Sequence, residues 1–336
     1  MTSYERFMAV LEGGPADRAP VAPAIFGVAA RLNGYKLSEY VTSGKVIAET
    51  QLKAREQIGH DVLFAFADLS VEAEALGCIL DYENDAYPSI RRYVLDDINE
   101  IDNIGPPDFS KNGRFPVVLE ACSRMREAEG NNCLIAACVM GPLSIASQLI
   151  GLEKLLYLTV DNPEGVEHLL DFTEDVALRY GKALMLAGAH CPFIFDPVAS
   201  PVVIPSSLFL RYEAPRLKRI YDAFRAEGSR VSWISIAGAT QRIIPHFSEI
   251  GINLATIDYV VPITEAFELE SNIAFNGNLK PYSFVSGTAG TIREEVKSCV
   301  REARGKGRYI VGSGCEIPVE SNSENIRAIV EAVEHA

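Results

Sequence analysis

Paired cysteines are missing from this chain, histidine is scarce at five residues, and tryptophan occurs once in 336 residues. The seven cysteines form no Cys-x-x-Cys pair and their number is odd, which excludes a disulfide scaffold or a zinc ribbon and suits free thiols in a reducing cytoplasm. Basic residues fall short of acidic ones, 31 against 45, for a formal charge of −14. Such a surface repels phosphate, so neither nucleic acid nor an anionic membrane is an expected partner. No apolar run reaches the roughly 18 residues a membrane span needs, and the opening stretch MTSYERFMAVLEGG has no apolar signal-peptide core. No low-complexity linker divides the chain, so one domain over residues 1–336 is expected. A Gly-rich phosphate loop after an early strand is also absent, which disfavours a doubly wound nucleotide-binding sheet.

What is present is alternation. Eight short apolar runs recur: Pro20–Phe26, Asp61–Asp68, Leu134–Pro142, Pro192–Ala199, Arg230–Ala237, Ile252–Tyr259, Asn272–Asn278 and Arg308–Cys315. Continuous apolar runs of this length suit strands buried on both faces of a parallel sheet. Helical patterns lie between them. Asn162-Pro163-Glu164 reads as an N-cap, a first-turn proline and a dipole-favoured carboxylate. Ser321 with Glu324 reads as a capping box, while Gly188 and Gly228 sit where helices should stop. Eight such units predict a (β/α)8 TIM barrel. The connection from about Asp81 to Cys133 is long and should carry extra helices over one side of the barrel mouth.

In that fold the chemistry gathers where strands end. The candidates are Asp68, Glu72 and Glu74 after the second run, and Asp196 and Ser200 after the fourth. Ser235 closes the fifth, Asp258 and Tyr259 the sixth, Asn276 and Asn278 the seventh, and Cys315 with Glu316 the eighth. Several have a plainer reading. Asp196 before Pro197 can cap a turn, Asp258 can hold a loop amide, and Asn276 and Asn278 around Gly277 fit a tight turn. Cys315, in a Gly-rich turn with little core to fill, is a metal-ligand or nucleophile candidate. His60 and His190 precede strands, His168 and His246 fall in helices, and His335 lies in the tail. A His-dependent triad or multi-histidine zinc site is therefore not expected, and acid–base work falls to carboxylates, Tyr259 or Cys315.

The stretches FADLSVEAEALGC, FDPVASPVVI, NGNLKP and GSGCEIPVESNSENI, in this order, resemble the uroporphyrinogen decarboxylase superfamily. VEAEALGC, DPVAS and GCEIP resemble its corrinoid-dependent methyltransferase branch, which includes the methylcobamide:coenzyme M methyltransferases. The resemblance implies a TIM barrel that exchanges a methyl group with a corrinoid carried by a partner protein. Asp68 matches the aspartate of the decarboxylases, but their arginine-bearing RQAGR-type stretch is replaced by AIFGVAARLNGY, with only Arg31 nearby, and four substrate carboxylates need paired cations. Thiol-methylating members of the branch hold zinc with a His-x-Cys pair and a later Cys. Here that pair aligns with Ser235 and Ala237, and only Cys315 remains, so zinc is not expected at the usual site. If a metal were held at all, the candidate set is Cys315, Glu72 and Glu74.

The expected function is corrinoid-dependent methyl transfer from a small O-, N- or S-methyl compound to the Co(I) corrinoid of a partner protein. Asp68, Asp196 and Tyr259 are the catalytic candidates. Glu72, Ser200, Ser235, Asp258, Asn276 and Cys315 are the substrate-binding candidates, and Asp68, Asp196, Asp258 and Cys315 should converge on one cavity. The alternatives are a decarboxylase acting on a smaller acid, with Asp68 as proton donor and Arg31 as carboxylate clamp, and a non-catalytic barrel that only binds a corrinoid or a partner. The chain has no corrinoid-binding Asp-x-His-x-x-Gly stretch of its own.

Overall fold

The computed structural model describes residues 1–334; His335 lies outside the described residues. Among the described residues nine strands are formed: β1 Val62–Ala65, β2 Ile79–Asp81, β3 Ser89–Arg92, β4 Leu134–Met140, β5 Cys191–Phe195, β6 Trp233–Ser235, β7 Leu254–Ile257, β8 Ala274–Leu279 and β9 Arg308–Ser313. Seven of them make one parallel sheet in the order β1-β4-β5-β6-β7-β8-β9, each paired with its sequence neighbour. Every residue of β1, β4, β5, β6 and β7 is buried. These strands therefore read as unbroken apolar runs rather than as alternation.

The first apolar run, Pro20–Phe26, is not a strand. It contributes one isolated parallel bridge, Val21 to Val311. Pro20 and Pro23 carry no N–H, so a continuous ladder cannot form through them. The segment still reaches both edges of the sheet. Val311 N donates to Pro20 O at 2.9 Å and Ala22 N to Val311 O at 2.7 Å, while Asp61 N donates to Val21 O at 2.7 Å. Below it, the wholly buried Asp61 accepts from Arg6 at 2.6 Å, from Arg18 at 2.7 Å and from Val21 N at 2.8 Å. This cluster ties the N-terminal helix Ser3–Leu11 to the start of β1. Phe7 of that helix meets Trp233, which also contacts Phe64 and Phe193 at centroid distances of 5.7 and 4.6 Å.

The long connection before β4 also departs from expectation. It begins with a β2–β3 hairpin and a short 3-10 helix, Ile98–Asn103. In β3, Ile90 is half-buried between exposed Ser89 and Arg91, which suits a ribbon with one apolar face and not a roofing helix. The single long helix here, Phe115–Glu129, packs beside Gly44–Ile58 on the outside of the sheet. Asn162 caps Pro163–Leu186 by accepting from Gly165 N at 3.0 Å, as its sequence suggests. Gly188 and Gly228 take φ of +119° and +98° just beyond helix ends. The last helix instead starts at Ser323, where Asn322 Oδ1 accepts from Glu324 N at 2.9 Å. Ser321 Oγ is buried without a partner. No single helix among the described residues is long and apolar enough to cross a membrane.

Candidate active site

The C-terminal ends of β1 and β9 border a cavity of about 370 Å³. Its apolar wall is Phe66, Leu69, Pro88, Ile90, Tyr93 and Leu152, and its polar groups are Asp68, Ser70, Tyr87, Ser147, Gln148 and Glu316. A cavity of about 400 Å³ opens beside Leu134, at the opposite end of β4. There the charges pair among themselves, Lys182 with Glu227 at 2.9 Å and Arg230 with Glu12, and no acid is left to act on a ligand.

Asp68 follows β1 and is bound on both oxygens by the buried Arg114 guanidinium, with Nη2 to Oδ1 at 3.2 Å and Nη1 against Oδ2. Ser70 N donates to Oδ1 at 2.8 Å. The same arginine donates from Nε to Glu74 at 2.6 Å and from Nη2 to Ser70 Oγ at 3.1 Å. Glu74 also accepts from Tyr82 OH at 2.6 Å. Asp68 therefore sits at the wall as half of an ion pair, and Arg114 has no face free for a substrate anion.

Glu316 is different. It follows Cys315 directly and accepts from Tyr87 OH at 2.5 Å and from Gly27 N at 3.3 Å. Tyr87 comes from the β2–β3 turn, and its oxygen accepts from Gly27 N at 2.8 Å. A Cβ at residue 27 would overlap the Tyr87 hydroxyl, so this close approach requires glycine. Burial pushes the Glu316 carboxyl up to about 7, and the nearby Asp68 adds to that, against the stabilising bonds from Tyr87 and Gly27. Burial likewise holds the Tyr87 phenol well above its ordinary range. The arrangement is a carboxylic acid that keeps its proton near neutrality, oriented by a phenol that stays protonated.

Glu72 lies behind this wall on the short helix Val71–Ala75. It is 2% exposed, accepts from Met140 N at 2.8 Å, and is pushed up to about 7, mainly by burial.

The remaining sequence candidates do not join the cavity, and the expected convergence of Asp68, Asp196, Asp258 and Cys315 on it is not seen: of the four, only Asp68 lines it. Asp196 is fully buried. It accepts from Ser144 Oγ and caps the turn Pro197–Ala199, with Ala199 N at 3.3 Å. Its second oxygen faces Glu213, which accepts from Leu143 N at 3.2 Å. Burial pushes both carboxyls up, and the neighbouring Asp196 raises Glu213 further. The close approach of Asp196 to Gly141 leaves no room for a Cβ there. Ser200 Oγ donates to Ala237 O at 2.5 Å. Asp258 accepts from Gly238 N at 2.8 Å and Val260 N at 3.2 Å, the loop-holding role its plainer reading gave. Asn276 accepts from Thr256 Oγ1 at 3.1 Å and donates to Ala22 O at 3.2 Å inside the sheet's curl. Ser235, also buried, ends β6. Tyr259 is 48% exposed on the rim, with Lys280 Nζ 5.4 Å from its ring centroid.

The donor set for zinc does not fit either. Ala237 has no ligand atom, and burial pushes the Cys315 thiol up, away from the thiolate a metal needs. Among the described residues no three His, Cys, Asp or Glu side chains form a metal-sized group. The alternative set of Cys315, Glu72 and Glu74 is therefore not assembled: Glu72 faces Met140 N and Glu74 is tied to Arg114. Arg31 is on the surface, paired with Asp85 at 2.9 Å. The site residues that sequence reading missed are Arg114 and Tyr87, both from the long connection, together with the wall residues Ser147 and Gln148. Glu316 stood at a strand end but was passed over for its neighbour Cys315.

Comparison with known proteins places this geometry. The family model for uroporphyrinogen decarboxylase (URO-D) matches residues 2–336. The chain is 28% identical over 347 residues to a methylcobamide:CoM methyltransferase of Methanosarcina acetivorans, covering 100% of this chain and 99% of that one. It is 26% identical over 337 residues to a methylated-thiol–coenzyme M methyltransferase of Methanosarcina mazei, covering 99% and 89%. A uroporphyrinogen decarboxylase of Thermus thermophilus is 27% identical over 308 residues, covering 89% and 87%. The solved structure of a methyltransferase from Methanosarcina mazei superposes with a TM-score of 0.91 at 24% identity, covering 100% of this chain and 99% of that one, and supports the fold.

Proposed function

We propose that this chain, which belongs to the uroporphyrinogen decarboxylase family, is a corrinoid-dependent methyltransferase built on a closed (β/α)8 barrel. It moves a methyl group from a small donor to the Co(I) corrinoid of a partner protein in the cytoplasm. The relatives named as methylcobamide:CoM methyltransferases support the class. The observation that carries the direction of transfer is the Glu316–Tyr87 acid beside an apolar cavity, with no thiol-activating metal set among the described residues. An enzyme that methylates a thiol needs that thiol as a thiolate. One that removes a methyl group for Co(I) needs the donor held in line and its leaving group assisted.

In this reading the apolar wall binds the donor and excludes water. Asp68, neutralised by Arg114, holds the wall in place, and Glu316 supplies the proton. Zinc plays no part. Decarboxylation is less well supported. Arg31 is spent on Asp85 and Arg114 on Asp68 and Glu74, so neither guanidinium is free to clamp a substrate carboxylate. The test is anaerobic incubation of the full-length protein with cob(I)alamin and a panel of methyl donors, with metal content measured on the same sample. Loss of Co(I) absorbance in step with demethylated product, at well under one zinc per chain, is the expected result. Release of CO2 from small acids without any methyl transfer would overturn it.

A further inference from the structure

The chemistry of the cavity wall narrows the donor further, resting on the methyltransferase reading above. Leaving groups differ in what they ask of a site. A quaternary ammonium departs as a neutral amine and needs no proton. A sulfonium departs as a neutral sulfide, again without one. A donor carrying a carboxylate would need a cation, the cavity is lined by no lysine or arginine, and Arg114 behind its wall is already committed to Asp68 and Glu74. An ether is the case in which a departing oxide must be protonated, and the wall offers one carboxyl oriented for that by a phenol and a main-chain N–H. The remaining wall describes the rest of the molecule. Phe66, Tyr87 and Tyr93 with Pro88, Ile90 and Leu152 surround a space of about 370 Å³, far more than a one-carbon alcohol fills and suited to a flat ring.

We propose that the methyl donor is an aryl methyl ether, bound in the cavity between β1 and β9, with Glu316 as the catalytic acid and Tyr87 as its positioning residue. The step balances as follows. The electron pair of Co(I) forms the bond to the methyl carbon, and cobalt is oxidised to Co(III). The carbon–oxygen bond breaks with its pair going to oxygen, and the carboxyl proton of Glu316 moves to that oxygen. The product is a phenol, Glu316 is left as carboxylate, and solvent returns its proton. Burial favours that return, since it raises the affinity of Glu316 for a proton. Activity on an unactivated ether should therefore fall as pH rises through about 7.

The experiment uses the full-length protein and four probes: guaiacol, 4-nitroanisole, tetramethylammonium and dimethyl sulfide. Calorimetric binding without any corrinoid is measured first, then methyl transfer to cob(I)alamin. Guaiacol should bind and be demethylated. Glu316→Gln should bind it within about threefold of the parent while losing roughly 10²-fold or more in turnover. The same variant should lose far less on 4-nitroanisole, whose leaving oxide is stable without a proton. Tyr87→Phe should shift the pH profile of turnover with guaiacol. Transfer from tetramethylammonium or dimethyl sulfide but not from guaiacol would overturn the ether proposal and leave the methyltransferase reading standing. Binding of guaiacol with no methyl transfer from any probe would overturn that reading and the proposal with it. Equal losses on guaiacol and 4-nitroanisole in Glu316→Gln would remove Glu316 as the acid.

Discussion

The two sides of the sheet's mouth carry carboxylates at equivalent places, yet they use them differently. On the β5–β7 side, Asp258 accepts from Gly238 N and Val260 N on its two oxygens, and the buried Asp196 accepts from Ala199 N and the Ser144 hydroxyl on one oxygen only. On the β1–β9 side, the hairpin turn and Arg114 come in from elsewhere in the chain and leave Asp68 and Glu316 on the wall of an open cavity. Position at a strand end is thus shared, and so is at least one main-chain donor, since Asp68 accepts from Ser70 N and Glu316 from Gly27 N; what separates the two sides is whether the carboxylate lines the open cavity. A loop that bends over its own strand end finds the aspartate at hand as its acceptor.

Three substitutions test that contrast, beginning with the largest effect. Arg114→Ala leaves the buried Asp68 charge unpaired and should cost about 3–5 kcal/mol of stability, measured by chemical denaturation. A loss under 1 kcal/mol would mean that the ion pair does not hold the wall. Glu72→Gln should act in the opposite direction. Its folded-state pKa, raised to about 7, lies above the ordinary value of 4.5. The folded protein therefore binds the extra proton between those values, and stability falls as pH rises from about 4.5 to about 7. Removing the group should stabilise the protein by up to about 3 kcal/mol at pH 8 and by little at pH 4.5. A gain of the same size at both pH values would contradict a proton-linked origin. On the other side of the mouth, Asp258→Asn can keep one of its two main-chain donors but not the charge that strengthens both bonds. It should lose about 1–2 kcal/mol of stability with turnover per folded molecule unchanged. A collapse of turnover with stability intact would move Asp258 from loop support to chemistry.

Much of the sheet was legible because a strand buried on both faces writes itself as an unbroken apolar run, as LIAACVM does in β4. The first run failed for a local reason, since Pro20 and Pro23 have no N–H to donate. The hairpin failed because three- and four-residue ribbons leave almost no periodic signal. At the site, the strand-end rule placed Asp68 and the Cys315-Glu316 pair in view. It could not choose between those two neighbours, because the choice depends on Tyr87, 229 positions away from Glu316. Arg114 was equally hidden, lying 46 positions from Asp68 on the far side of an irregular connection. Residue type and spacing announce a metal pair or a cap. They do not announce which distant side chain will neutralise an acid.

The Pro20–Ala22 segment has a consequence for the order in which the molecule can be completed. Its partners lie at both edges of the sheet, and Ala24 N reaches Ser313 Oγ across 289 positions. During synthesis this stretch leaves the ribosome well before its β9 partners, which include Ser313, 289 positions beyond Ala24. Until they emerge, the segment can be satisfied on its β1 side only, and the edge of the nascent sheet stays open to other chains. Contacts of such long sequence separation are slow to form. A chain halted before Arg308 should therefore be more prone to associate with itself than the finished protein, because its sheet lacks the strand that this segment joins.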